Sequence, residues 1–376
     1  MAPTLLWNFT VGGSVFTPAI ENNVVYAGSG SDIYALNASD GSQLWKNSIG
    51  QFNSGPVVVD DVVYVGGFDY VLALNAKTGA ELWENQVYGY GTYDSAPVVA
   101  GSAVYVAAQV GGISALNAKT GKTLWSYSPE YQNYLGTFSS PVVVNGMVYF
   151  GASRGVYALE ADSGSLLWNN TIGYFVASPI VADGVIYIGS LGANFYALNA
   201  SNGNELWNYS ASASISSTPD VANGIVYVSS QDGNLYALNA TNGDKLWNYT
   251  VVPSTYAGYS LSPIVAGNTV YTGSGNGEVY AFDAVSGSKL WNYTVGNASL
   301  SGPIIDNSVL FIGSADGNVY VLRVSTASSP SAKSFNALLI VIVGVFAALI
   351  VATVIALIFK KDRKSSLSTL ATSKFA

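Results

Sequence analysis

Three regularities of this sequence predict an all-β fold, an eight-bladed β-propeller of four-stranded antiparallel blades. The eight tryptophans, Trp7, Trp45, Trp83, Trp125, Trp168, Trp207, Trp247 and Trp291, fall 38–44 residues apart. Eight of the twelve prolines, Pro18, Pro56, Pro97, Pro141, Pro179, Pro219, Pro263 and Pro303, share a second periodic slot. Between these markers the chain reads as short alternating strands separated by turn residues. Four short strands per ~40 residues is the period of a propeller blade. A stacked solenoid is the alternative with the same period.

The elements follow in chain order. The chain opens on LLWNFTV, a fourth-strand sequence with no first three strands before it. A complete unit is illustrated by residues 140–170. SPVVVNG is its first strand, ending in an Asn145-Gly146 hairpin signal. MVYFGAS is the second and VYALEA the third; the turn DSG leads to the fourth, SLLWNN. The last repeat stops after a third strand, VYVLRVS. Seven complete units and two halves make eight blades, so the first strand is expected to complete the last blade and leave no free sheet edge. The propeller is assigned to residues 1–326 and a linker to 327–336.

Residues 337–359 form an uncharged apolar run, ALLIVIVGVFAALIVATVIALIF. As a helix it is about 34 Å long, enough to cross a bilayer core of about 30 Å. The tail 360–376 carries Lys360, Lys361, Arg363 and Lys364 at its start, whereas only Lys333 and Arg323 lie near the other end. The positive-inside rule then makes this a single-pass protein with a cytoplasmic C-terminus and an extracytoplasmic propeller. The start, MAPTLLWNFT, has no basic region and no long apolar run. Without an export signal the span is instead a tail anchor with the propeller in the cytoplasm. The charge asymmetry is taken as the stronger signal, with a missing leader implied.

ALNAKTGKTLW, ending at Trp125, resembles the tryptophan-docking motif of the pyrroloquinoline quinone-type propellers, and eight matches at regular spacing cover residues 5–325. The resemblance implies tryptophans packed between neighbouring blades. Small residues at Ala35, Ala73, Ala115, Ala158, Ala197, Ala237 and Ala281 leave room for the rings, and the turn glycine, Gly121 in this unit, suits a reversal with positive φ. The family's third-position Asp is mostly Asn here, as at Asn117 and Asn239, and Glu160 in one unit. Family enzymes stack the quinone on a spare tryptophan, use oxygen-ligated calcium and an Asp base, and often carry a disulfide of adjacent cysteines. Here all eight tryptophans fill docking slots and the chain has no cysteine. The expected resemblance is therefore to the cofactor-free members, which act as binding platforms, with no cofactor and no bound metal.

Composition narrows the chemistry. With neither Cys nor His, the chain has no disulfide, thiol nucleophile or His-based acid–base catalysis. Residues 1–335 hold 9 Lys/Arg and 21 Asp/Glu, a net of −12. Such a body offers no footprint for nucleic acid. Asp94, Glu130 and Asp220 are the candidate catalytic acids. Asp220 replaces the Ala, Val or Ile that follows the proline elsewhere, and is expected at the central channel. A paired-carboxylate mechanism needs two acids within roughly 5–10 Å.

From each proline to the next tryptophan the distance is 27 or 28 residues, but from tryptophan to proline it runs from 11 to 16. Length variation thus sits in the connectors between blades, where recognition is usually carried on a rigid scaffold. Of the 26 tyrosines, nine fall outside repeating slots: Tyr70, Tyr88, Tyr90, Tyr93, Tyr131, Tyr134, Tyr174, Tyr256 and Tyr259. Eight are in connectors and Tyr70 is read as lying in a turn between second and third strands. These loop types open on one face, where the tyrosines and Phe138 form a candidate partner-binding surface. The alternative is a channel plug. Nine Asn-X-Ser/Thr sequons, at Asn8, Asn37, Asn169, Asn199, Asn208, Asn239, Asn248, Asn292 and Asn297, are glycosylation candidates in an outward-facing domain. Anchor, sequons and acidity suit an archaeal-like cell surface. The expected function is a membrane-anchored, non-catalytic binding scaffold for a protein or glycan; the alternatives are a quinone dehydrogenase, a carboxylate-based carbohydrate-active enzyme, or a structural surface component.

Overall fold

The structure, a computed structural model, describes residues 2–51, 54–67, 70–86, 95–108, 112–129, 139–175, 177–251 and 261–324. The predicted membrane span and basic tail lie outside them. Among the described residues no helix is long and apolar enough to cross a membrane. Their 32 strands form eight four-stranded antiparallel sheets. The first blade contains Ala19–Glu21, Val24–Ser29, Asp32–Asn37 and Gln43–Ser48, in that order. First strands of successive blades touch one another and so line the centre. This ring excludes the solenoid.

The hydrophobic pattern explains the layering. Second and third strands are buried on both sides, as in Val24–Ser29, because neighbouring blades cover both faces of each sheet. Outer strands alternate: in Glu205–Ser210 only Trp207 is buried and Leu206, Asn208 and Ser210 are exposed. The turn chemistry is equally local. Asn145 and Gly146 both have positive φ, 52° and 75°, as a two-residue type I′ hairpin requires.

The last blade is closed by the first strand. Thr4–Thr10 pairs antiparallel with Asn318–Arg323, from Thr4 opposite Arg323 to Thr10 opposite Asn318. The blade order is Thr4–Thr10 outermost, then Asn318–Arg323, Val309–Gly313 and Ile304–Asp306. Val11, Val15, Val25, Phe311 and Val319 pack in one core cluster across the join.

The tryptophans fasten blade to blade. Trp7, Trp45, Trp83, Trp125, Trp168, Trp207 and Trp247 each donate Nε1–H, at 2.8–3.1 Å, to an alanine carbonyl in the next blade: Ala38, Ala76, Ala118, Ala161, Ala200, Ala240 and Ala284. In six of these joints a second-strand tyrosine hydroxyl, beginning with Tyr26 and ending with Tyr227, donates to the same carbonyl. Each of the seven rings also lies against the turn glycine of the next blade. A Cβ on Gly121 would stand 2.5 Å from the Trp83 ring. The glycine thus serves close ring approach as well as positive φ, a role its turn context alone does not reveal.

The eighth joint differs. Trp291 is buried and packs on Tyr271, ring centroids 5.9 Å apart. Among the described residues its Nε1–H reaches no carbonyl, and the fully buried Tyr271 hydroxyl has no partner. Val324 stands where Ala284 stands in the preceding blade, each N–H bonded to a turn residue, Ser308 or Asn268. In the last blade the outer strand comes from the other end of the chain, so the third strand is not joined to it by the hairpin that supplies the carbonyl and glycine elsewhere.

Candidate binding face

Each blade is an up-and-down meander. Turns between first and second strands, and between third and outer strands, therefore lie at one end. Turns between second and third strands lie at the other, with the blade-to-blade connectors. At that second end the two loop types meet. The Tyr70 hydroxyl donates to the carbonyls of Ile49 (3.0 Å) and Gln51 (3.2 Å) in the preceding connector. Leu191 N–H donates to the Tyr174 carbonyl at 3.0 Å, and Ser212 N–H to Asp232 Oδ2 at 3.2 Å.

Tyr70 heads the third strand Tyr70–Asn75 instead of lying in the turn before it. It is half-buried and its ring lies over Gly67, where an added Cβ would come within 2.3 Å. Its hydroxyl bonds pin the connector. Tyr174 is 39% exposed and the more open of the two. The remaining predicted face residues, Tyr88, Tyr90, Tyr93, Tyr131, Tyr134, Phe138, Tyr256 and Tyr259, lie outside the described residues, as do Asp94 and Glu130.

Asp220 begins the inner strand Asp220–Ala222 and is half-buried. Its Oδ1 accepts the N–H of Val221 at 2.8 Å and its Oδ2 the N–H of Val265, on the next blade's inner strand, at 2.7 Å. Burial pushes its carboxyl above the usual range, and the two N–H donors offset only part of that. Both oxygens are engaged, Oδ1 within its own strand and Oδ2 in stapling the adjacent inner strand.

Three other acids hold tyrosine hydroxyls on this end of the ring. Asp232 accepts from Tyr236 at 2.7 Å, Glu278 from Tyr280 at 2.6 Å and Asp316 from Tyr320 at 2.7 Å. The Tyr280 bond holds the Glu278 carboxyl below its ordinary range. Burial opposes the same effect at Asp316, but hydrogen bonds from Tyr320, Asn318 and Ser314 outweigh it. Burial, then the Asp316 carboxylate, pushes Tyr320 up to about 12. These carboxylates orient phenols within a blade. Among the described residues no group of three or more acids is placed to hold a metal ion. A cavity of about 20 Å³ beside Ser229, Thr272 and Ser274 has room for about one water.

One repeated element escaped sequence reasoning. Serines two residues before the periodic proline are buried at Ser54, Ser95, Ser139 and Ser217. Ser139 Oγ accepts Gly151 N–H (2.8 Å), Ser217 Oγ accepts Ser229 N–H (3.0 Å) and Ser301 Oγ accepts Gly313 N–H (2.9 Å). These three tie their connectors to the second strand of the blade, whereas the buried Ser54 and Ser95 hydroxyls find no partner among the described residues. The signal was a serine at the same offset from proline in five of the eight units.

A family profile described as outer membrane protein assembly factor BamB matches residues 29–180 and 156–357. Two curated relatives bear that description. The one from Salmonella typhimurium is 35% identical over 108 residues, 25% of this chain and 28% of the relative. The one from Moranella endobia is 40% identical over 74 residues, 19% of each chain. The matched stretches thus span less than a third of either relative. Among solved structures, BamB from Moraxella catarrhalis superimposes with a TM-score of 0.74 at 22% identity, covering 86% of this chain and 100% of that one. A quinohemoprotein alcohol dehydrogenase from Pseudomonas putida HK5 does so with a TM-score of 0.70 at 16% identity, covering 88% of this chain and 78% of that one. At these identities the likenesses speak for the fold alone.

Proposed function

This chain belongs to the pyrroloquinoline quinone-type propeller family described as outer membrane protein assembly factor BamB, and from that premise we propose that it is a non-catalytic binding scaffold, held at a membrane, for a protein partner. The observation that carries this reading is the engagement of the tryptophans. Seven are seated on glycine and bonded to alanine carbonyls, and the eighth packs on Tyr271. A quinone-binding relative needs a tryptophan face left over for its cofactor, and these rings hold the ring of blades instead. Asp220, the acid best placed at the centre, has both oxygens occupied by backbone N–H groups. The relatives' description as assembly factors supports a protein as the partner.

We assign the partner to the connector-bearing face, through Tyr88, Tyr90, Tyr93, Tyr131, Tyr134, Phe138, Tyr174, Tyr256 and Tyr259, with Tyr70 pinning a connector beneath. Exposed aromatic anchors often contribute ~2 kcal/mol or more each to an interface. Residues 337–359 supply the anchor and the propeller lies outside the cytoplasm. The test is chemical cross-linking of the full-length protein in membranes of its own cells, with cross-linked proteins identified by mass spectrometry. A variant carrying Tyr88→Ala, Tyr90→Ala, Tyr131→Ala and Tyr256→Ala should keep its melting temperature and lose the cross-linked partner. A folded variant that still cross-links, or one that unfolds as Trp125→Ala does, overturns the assignment of this face.

A further inference from the structure

Eight of the nine sequons fall into two structural classes, and the ninth, Asn297, is exposed in the connector after Lys289–Thr294. Asn37, Asn199 and Asn239 begin the turn between third and outer strands. Their side-chain Oδ1 atoms accept the N–H of Ser39, Ser201 and Thr241 at 2.9, 2.9 and 2.8 Å. Asn75 and Asn117 build the same turn with lysine two residues on, and so without a sequon. The turn alone accounts for asparagine at these three positions.

Asn8, Asn169, Asn208, Asn248 and Asn292 are different. Each follows the docking tryptophan in the outermost strand of its blade and is exposed. Asparagine is disfavoured within strands, and packing does not call for it here. The side-chain amides of Asn8, Asn169 and Asn248 make no hydrogen bond among the described residues, whereas those of Asn208 and Asn292 donate to Glu205 Oε1 at 2.6 Å and Glu278 Oε1 at 2.8 Å. In the first blade the same slot holds Lys46, which sits 5.2 Å over the Tyr34 ring and 3.0 Å from Asp32. That is how packing and charge fill the slot. The hydroxyl two residues on does not distinguish the classes, because Ser48 bonds across to Asp32 in that blade much as Thr250 bonds to Asn234 in another. At Asn8, Asn169 and Asn248 the asparagine itself is the unexplained residue.

Two further observations converge. Asn and Ser/Thr at i and i+2 of a strand share a face, here the exposed one. The leucine before the tryptophan is exposed in seven blades, with or without a sequon, as at Leu206 (51%) and Leu44 (53%), while Leu6 is half-buried. The five strands also occupy consecutive blades around the ring: Leu166–Asn170, Glu205–Ser210, Lys245–Thr250, Lys289–Thr294 and the closing Thr4–Thr10. The other three outer strands, carrying Lys46, Glu84 and Ser126 in the slot, are consecutive too.

We propose that Asn8, Asn169, Asn208, Asn248 and Asn292 are N-glycosylated, forming an arc of glycans on five adjoining outer strands while three adjoining blades stay bare and the turn sequons stay unmodified. This rests on the extracytoplasmic placement proposed above. The donor is a lipid-linked glycan and the catalyst a membrane oligosaccharyltransferase. Asparagine Nδ2 forms a bond to sugar C1, the C1–O bond to the polyprenyl phosphate breaks, the phosphate leaves with the electron pair, and one amide proton passes to a base of the transferase. Each glycan then shields an unpaired strand edge from another chain, and on the four blades other than the closing one it also covers an exposed leucine.

The full-length protein is purified from membranes of its own cells and its peptides are read by mass spectrometry. Glycan mass is expected on the five rim asparagines, with unmodified peptides for Asn37, Asn199 and Asn239. Asn169→Gln, Asn208→Gln and Asn248→Gln should each remove one glycan's mass without changing the circular dichroism. Unmodified rim asparagines, or modification confined to the turns, overturns the proposal. Protease digestion of the same intact cells separates the causes: a cleaved propeller with bare asparagines sinks the glycan arc alone, and a protected propeller sinks the topology with it.

Discussion

Asp220 shows how one carboxylate can act against the trend of the others. A raised folded-state pKa means the native chain binds the extra proton, so this group's contribution to stability falls as pH rises from its unfolded value, about 3.9, through its raised one. Glu278 and Asp316 have lowered values, so their contribution is present above the unfolded pKa and is lost as pH falls through the folded one. Asp220→Asn removes the opposing group. Its stability, read from urea midpoints between about pH 3 and 6, should climb more steeply with pH than that of the parent. Parallel curves would mean that Asp220 titrates as it does in the unfolded chain. The turn glycines give a second residue-scale test. Gly146→Ala meets nothing within 4 Å and bears only the positive-φ cost, ~1–2 kcal/mol. Gly121→Ala has a similar φ but drives a Cβ into the Trp83 ring, adding ~1–3 kcal/mol of overpacking. Equal unfolding free energies for the two variants would show that the ring moves aside freely.

Among elements, the closing strand and the joint beside it depart from the repeat. Trp125→Ala removes a ring seated on Gly164 and bonded to Ala161, and should cost ~3–5 kcal/mol by the cavity it leaves. Trp291→Ala removes a ring that has neither glycine seat nor carbonyl among the described residues, and should cost less. The reverse order would place the strongest joint at the chain's ends. Deleting residues 1–11 strips the last blade of its outer strand and bares the edge of Asn318–Arg323. A clear fall in melting temperature is expected, and an unchanged one would mean that the two ends do not hold each other.

At the scale of the molecule, the regular ring and its irregular connectors divide the labour. Register repeats around the ring: in seven blades the tryptophan pairs with an alanine beside a bulge, as Ala115 with Trp125 and Ala197 with Trp207, and in the closing blade Trp7 pairs with Val321. Invariant register leaves connectors free to vary, because a longer loop costs little closure entropy on a scaffold already closed. The proposed topology is checked by protease on intact cells. Residues 365–376 should be protected while the propeller is cut; the opposite pattern returns the tail-anchored arrangement.

The sequence by itself determined the blade count, the strand order within a blade and the closure by residues 4–10. These follow from hydrophobic periodicity, turn chemistry and the spacing of Trp and Pro, all of which are local. It also marked the face whose connectors vary in length. Only the tertiary structure could show that Asp220 staples two blades, that among the described residues Tyr271 and Trp291 lack the carbonyl their counterparts share, and that the outer-strand sequons fall on five adjoining blades. Each of these depends on which atoms meet across 30 or more residues of sequence, as Trp7 meets Ala38. A one-dimensional repeat treats every blade as equivalent. The closed ring does not, because one of its joints brings together the two ends of the chain.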